Sequence, residues 1–439
     1  MEASCLNPAI LIGERFRKLT RPYIFPTVPS GLVKIIKGLV QPIEQVMEEE
    51  FYRIKRLPPY VFAEVNRMKA AARAKGEDII DLGMGNPDTP PPQHILDKLV
   101  EAIQNPRAHG YSMSKGIPGL RKAISNYYMK RFGVSIDPEK EAVVNIGSKE
   151  GLYSLATAIT KPGDVVMVPN PSYPLHTYGF IIAGASVWSL PNYVNETGLI
   201  DHIKDAILHC SPKPVALVLN FPGNPTAEVV GLPFYQEVVD ICRFHGIYII
   251  SDLAYAEIYF DENNPPPSIL QAKGAKEIAI EFTSTSKTYS MAGWRCGFAV
   301  GNQHLIKALT HIKSYVDYGS FTPIQVAASA ALNGPQDCVA ELRTLYKDRR
   351  DTLIKGLHSA GWDIPVPSAS MFAWAPIPEK FKELKSLEFS KQLLQNAGVA
   401  VAPGIGFGQY GDDYVRIALV ENSQRIKQAC KNMKKFLQS

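Results

Sequence analysis

The chain has 439 residues, of which 46% are hydrophobic, 20% charged and 10% aromatic. That composition belongs to a globular protein with apolar surface for a large core, and it excludes intrinsic disorder. Net charge is +5, and residues 1–46 alone contribute 6 basic and 3 acidic groups. The remainder is close to neutral and offers no electrostatic footprint for nucleic acid.

Residues 1–46 read as an extension, poorly ordered or lying upstream of a start at Met47; a short basic amphipathic pattern over 30–37 offers the alternative of a targeting or surface-binding segment. No apolar run approaches the ~20 residues a membrane span needs, so no membrane partner is expected. From about 140 to 300, apolar runs alternate with helical patterns. Strands are predicted at 142–146, 164–168, 216–220, 247–251, 278–282 and 297–300, with helices at 148–159, 173–183 and 232–245. Short Val/Ile-rich runs between helices predict an α/β fold with a mostly parallel central sheet covered on both faces. Ligands bind such sheets at the carboxyl ends of their strands. Beyond 335 the pattern changes to a long helix over 336–360, strands at 372–375, 399–402 and 414–420, a helix at 387–396 and a closing helix. The expected domains are an N-terminal arm and small-domain segment over 47–85, a large domain over 86–334 and a small α+β domain over 335–439.

The six cysteines form no CxxC pair and the nine histidines no HExxH pattern, so neither a disulfide framework nor a metal is expected. Scattered thiols suit a reducing, cytoplasmic setting.

The chemistry concentrates at strand ends. Ser284-Thr-Ser-Lys287 follows an apolar run, with Arg295 eight residues beyond the lysine. A partly buried lysine can lose its proton and attack an aldehyde. Nearby hydroxyls and an arginine suit a phosphate. Together these point to pyridoxal 5′-phosphate (PLP). Its pyridine nitrogen needs a carboxylate, which Asp252 offers; the structural alternative is a helix cap or a paired aspartate. Asn224 and Tyr255 suit the phenolic oxygen, against the alternatives of a turn asparagine and a core tyrosine. Gly147-Ser148-Lys149 opens a helix, where free N–H groups favour an anion. Tyr173 begins another helix and suits a ring face. Arg416, a charge in an apolar strand, requires an anion: a substrate carboxylate or an internal acidic partner.

Asn224-Pro-Thr226, Ser251-Asp252-x-x-Tyr255, Ser284-x-Ser-Lys287 continuing to Gly293-Trp-Arg295, and the Arg416 strand resemble the class I/II aminotransferases of PLP fold type I. The likeness runs from about Phe51 to the end. Arg53-Ile-x-Arg56-Leu-Pro-Pro-Tyr and His109-Gly-Tyr111 resemble the bacterial alanine-transaminase branch, which is similar to LL-diaminopimelate aminotransferases. The resemblance implies that Lys287 joins the cofactor aldehyde and carries the proton between substrate Cα and cofactor C4′. It implies that Asp252 binds the pyridine nitrogen, Asn224 and Tyr255 the phenolic oxygen, and Tyr173 the ring face. Gly147, Ser148, Lys149, Ser284 and Arg295 would hold the phosphate, with Tyr111 of a second copy completing it in a homodimer. Arg416, Gly85 and Asn224 would bind the substrate carboxylate. The implied activity is a ping-pong exchange between an L-amino acid, with alanine leading, and 2-oxoglutarate. LL-diaminopimelate or aspartate aminotransferases, and a lyase or aminocyclopropane-carboxylate-synthase-like enzyme, share the fold and remain alternatives. Ala227 and Leu253 replace the family's usual Gly and Glu in these motifs.

Overall fold

The structure, a computed structural model, describes residues 51–191 and 196–439, without the side chains of Glu196 and Thr197. The 1–46 extension, its 30–37 pattern and Met47 lie outside the described residues. The chain divides at Leu57/Pro58 into two units. The described part of the first carries one helical turn, Tyr52–Lys55. All that follows concerns the second.

Seven strands form the main sheet: β2 (Ala142–Asn145), β3 (Val165–Asn170), β4 (Ser186–Pro191), β5 (Ala216–Leu219), β6 (Tyr248–Asp252), β7 (Ala279–Ser284) and β8 (Gly297–Gly301), preceded in the chain by β1 (Ile80–Asp81). Their spatial order is β2-β8-β7-β6-β5-β3-β4. Only β8 runs against its neighbours. Alternating residues face opposite layers, as the strand period of two demands. Val166, Val168, Ile250 and Ile280 pack into one core, whereas Met167, Leu217, Leu219 and Ile249 pack into the other. Burial on both faces explains why these strands read as unbroken apolar runs.

A smaller sheet is built from β9 (Phe372–Pro376), β11 (Ala402–Pro403) and β12 (Tyr414–Ala418), while β10 (Val399–Ala400) pairs in parallel with β1. The helices Asp337–Ser359, Lys385–Ala397 and Ser423–Gln438 enclose a third core, in which Ile80 and Leu82 are also buried.

Most expected elements are present within a residue or two. The single run expected at 399–402 is instead two short strands either side of Val401, one in each small sheet. Edge strand β4 and the helix Glu196–His209 have no counterpart among the expected elements. The strand is half exposed and reads Ser-Val-Trp-Ser-Leu-Pro, so it lacks the continuous apolar run that marks its neighbours.

Candidate active site

The site begins where β2 hands over to the helix Ser148–Ile159. Gly147 caps that helix at φ +80° with no side-chain hydrogen bond to the first turn. The leading N–H groups of the helix have no intrahelical partner and face an anion favourably. The antiparallel register pairs Asn145 with Gly297, so Arg295 meets Gly147 across the same edge. A Cβ at Gly147 would overlap Nη2 of Arg295. Arg295 also donates from Nη1 to the Ala292 carbonyl at 2.8 Å. Gly147→Ala is therefore expected to displace the guanidinium and to strain the backbone by about 1–3 kcal/mol. PLP affinity of the apoenzyme should fall about tenfold with the far-ultraviolet circular dichroism intact; unchanged affinity would separate this turn from the phosphate.

The other residues expected at the phosphate stand differently. Lys149 is exposed, with Nζ 5.9 Å from the Tyr173 ring centroid. Ser148 is half-buried at the helix start. The Ser284 hydroxyl is buried and accepts the Ser286 N–H at 3.1 Å, capping the helical turn Thr285–Thr288. It also reaches the Cys296 carbonyl at 3.4 Å.

That turn carries Lys287. Its Nζ donates to the Gly85 carbonyl at 2.6 Å. Burial pushes the amine down to about 8, and the positive Arg416 and Arg295 add to the effect. Gly85 admits no side chain, because a Cβ there would lie 2.6 Å from the Phe372 ring.

Asp252 ends β6. Its Oδ2 lies 3.0 Å from Nε2 of His176, a residue only 1% exposed on the helix Pro174–Ala183. Its backbone carbonyl accepts from Asn220 Nδ2 at 2.7 Å, while Asn220 Oδ1 accepts the Asn224 N–H at 2.9 Å. One asparagine thus fixes both the aspartate strand end and the turn carrying Asn224. Tyr255 is buried edge-to-face against Phe372, with centroids 5.6 Å apart. Burial raises its phenol, Arg416 opposes the rise and Asp252 adds to it. The Tyr173 phenol is raised by burial and by Asp252, against Arg416 and Arg295. These mutual influences put Asp252, Tyr173, Tyr255, Lys287, Arg295 and Arg416 around one crevice.

Arg416 lies in β12 and is 7% exposed. It donates from Nη1 to Asn224 Oδ1 at 2.7 Å and from Nη2 to the Gly83 carbonyl at 2.9 Å. Its guanidinium carbon sits 4.1 Å from the Phe372 ring centroid and 4.7 Å from that of Phe407. Among the described residues Nε has no hydrogen-bond partner and no acidic side chain pairs with the guanidinium. Burial pushes the guanidinium down to about 10, so it stays charged at neutral pH. A buried cation among neutral dipoles and ring faces is costly without an anion. Tyr111 stands apart from this group, 90% exposed beside the Tyr318 ring at 4.7 Å.

Sequence reasoning missed His176, Asn220, Phe372 and Phe407. Asn220 ends a buried strand, the same signal that marked Asp252. His176 and the two phenylalanines carry no local signal, since their partners are 76 or more, 44 and 9 residues away in the chain.

The donor set fits PLP. A carboxylate is held in place by a buried histidine, an amine is lowered toward neutrality, a helix start too tight for a Cβ faces an arginine, and a second arginine has an unpaired buried nitrogen. Residues 77–433 match the family model "Aminotransferase class I and II". The chain is 59% identical over 391 residues to the putative aminotransferase AatC of Rhizobium meliloti (strain 1021), covering 89% of this chain and 96% of that one. It is 54% identical over 387 residues to the glutamate-pyruvate aminotransferase AlaC of Escherichia coli (strain K12), covering 88% and 93%. The solved structure of substrate-bound BacF from Bacillus subtilis superposes with a TM-score of 0.82 at 35% identity, over 89% of this chain and 98% of that one. The crevice, the matched sequence and the shared architecture agree: this chain belongs to the class I and II aminotransferases, enzymes that depend on pyridoxal phosphate.

Proposed function

We propose that the chain transfers an amino group between L-alanine and 2-oxoglutarate by a ping-pong mechanism, acting as a homodimer. The observation that carries the reading of the site is Arg416, a buried guanidinium with one nitrogen unpaired and no acidic partner, in the crevice that also holds the Lys287 amine. The likeness to a relative named glutamate-pyruvate aminotransferase supports alanine and glutamate as the donors.

When bound, PLP supplies an electron sink for the pair released at the substrate Cα. Lys287 would be the point of attachment of the cofactor and, once released by the substrate amine, would carry the proton between the substrate Cα and C4′. Asp252, held by His176, would keep the pyridine nitrogen protonated. Asn224 and Tyr255 would bind the phenolic oxygen, and Tyr173 would cover the ring. Gly147, Ser148, Lys149, Ser284 and Arg295 would hold the phosphate. Arg416, with Gly85 and Asn224, grips the substrate carboxylate through a planar fork suited to it. Tyr111 would complete the phosphate site of a second copy. Its exposure, together with that of Met113, Tyr318 and Phe321, supports a face that another copy covers.

The lowered lysine fixes the pH dependence. Only the neutral amine attacks the aldehyde. At pH 7 a lysine near 8 is roughly one-tenth neutral, against about 0.03% for an unperturbed one. Covalent uptake of PLP by the apoenzyme should rise about tenfold per pH unit and level off above about 8. Stopped-flow absorbance tests this, and a rate still climbing at pH 10 would contradict a buried, lowered amine.

A donor panel tests the substrate reading. Alanine, aspartate and LL-diaminopimelate are offered with 2-oxoglutarate, with kcat/KM as readout. Alanine should lead; a preference for LL-diaminopimelate would replace the proposal with that activity. Pyridoxamine phosphate formed with amino acid alone supports transamination, whereas ammonia and pyruvate released without an acceptor would point to a lyase.

A further inference from the structure

Lys313 is fully buried near the end of the helix Gln303–Val316 and plays no part in the chemistry above. A lysine in that position is costly unless both its charge and its donors are met. Two carboxylates meet them: Glu150 Oε2 at 3.0 Å and Asp317 Oδ2 at 2.8 Å.

Each carboxylate holds a different piece of backbone. Glu150, in the first turn of the helix that opens at Gly147, accepts the Ile146 N–H at 2.9 Å and the Ser154 hydroxyl at 2.7 Å. It thereby fixes the turn just ahead of the phosphate-binding N–H groups. Asp317 accepts the Gly319 N–H at 2.6 Å, and its carbonyl accepts the Ser114 hydroxyl at 2.5 Å. Gly319, at φ +78°, passes so close to Met113 that a Cβ there would overlap the Met113 carbonyl. Gln325 completes the second piece. It donates to Ser112 Oγ at 2.8 Å and to the Ser320 carbonyl at 2.6 Å, and accepts the Ile117 N–H at 2.9 Å. The two loops so braced carry Tyr111 and Tyr318, whose rings meet at 4.7 Å.

We propose that Lys313 is a positioning residue that couples the phosphate-binding turn at Gly147 to the Tyr111–Tyr318 loop, so that PLP binding in one protomer and docking of a second copy strengthen each other. This rests on the reading of the site as a PLP site and of the Tyr111 face as a dimer face. Coupling of this kind is reciprocal and is worth roughly 5- to 150-fold in affinity.

The discriminating variant is Asp317→Asn. It keeps an oxygen for Gly319 and removes one negative charge. A pure charge effect would leave PLP affinity unchanged or raise it, because phosphate is an anion; loss of positioning lowers it. The apoenzymes of the parent, Asp317→Asn, Lys313→Met and Lys313→Arg are titrated with PLP by absorbance. Their self-association is measured by sedimentation equilibrium with and without PLP. Expected are a PLP Kd raised about fivefold or more in Asp317→Asn and Lys313→Met, a matching loss of the tightening that PLP gives to self-association, and substantial recovery in Lys313→Arg. A PLP Kd within twofold of the parent in a folded Asp317→Asn, or a weaker dimer with unaltered PLP affinity, overturns the coupling alone. A parent that takes up no PLP overturns the underlying reading with it. Asp317→Asn decides the matter even if Lys313→Met does not fold.

Discussion

Lys287→Ala is expected to abolish turnover. The loss is twofold, because the same amine provides the covalent attachment and the only positioned proton carrier in the proposed reaction. General acid–base catalysis by a placed group is worth about 10²–10⁴ in rate, and removal of the attachment adds to it. Turnover of any donor with 2-oxoglutarate should therefore fall by about 10⁴ or more. The contacts at Gly147, Arg295 and Asp252 do not involve the amine, so the variant should still bind PLP, more weakly and without the absorbance of the lysine adduct. Steady-state turnover and the spectrum of the bound cofactor report the two effects separately. Retained turnover would move the chemistry to another residue. Lys149→Ala, which removes an exposed lysine, should cost far less.

Arg416→Ala is expected to separate stability from substrate binding. Breaking a buried, hydrogen-bonded charge pair costs about 2–5 kcal/mol, so kcat/KM for the amino donor should drop between roughly 30-fold and a few thousandfold. KM should carry most of that loss. The ligand-free protein tells a different story. There, among the described residues, the guanidinium has no acidic partner and its Nε is unpaired, so its removal takes away a buried, unneutralised charge. Lost stacking on Phe372 and Phe407 and lost hydrogen bonds to Asn224 and the Gly83 carbonyl oppose that relief, and the melting temperature should change little. Arg416→Lys should fall between, since an ammonium keeps the charge but loses the fork. An unchanged KM in Arg416→Ala would place the carboxylate elsewhere. A collapse of the melting temperature would show the arginine to be a structural residue.

Much of this was legible before any coordinates, for a physical reason. Buried parallel strands leave continuous apolar runs, and the polar residues that end the runs of β5, β6 and β7, Asn220, Asp252 and Ser284, stand at the crevice. Asp252 and the lysine turn after Ser284 were visible in that way. Arg416 was visible by the opposite signal, a charge inside a buried strand. What stayed hidden depends on three-dimensional neighbours. His176 supports Asp252 from a helix 76 residues earlier. Phe372 closes on Gly85, and on Arg416 from the neighbouring strand β9 of the same small sheet. Edge strand β4 was missed because half its side chains face solvent, and the break at Val401 because one apolar run serves two sheets. Ser284 was legible as a site residue; that its hydroxyl also caps its own turn, by accepting the Ser286 N–H, was not.

The single reversed strand, β8, has a consequence for how such a crevice comes into being. Were β8 parallel to β7, its first residue would lie at the far edge of the sheet, and Arg295 would be a strand's length from Gly147. Because it turns back, residues 285–296 form one hairpin connection whose two ends are pinned by the Ser284–Gly297 pair. The Lys287 amine and the Arg295 guanidinium thus hang from one hairpin, so a lesion that opens it is expected to displace both together.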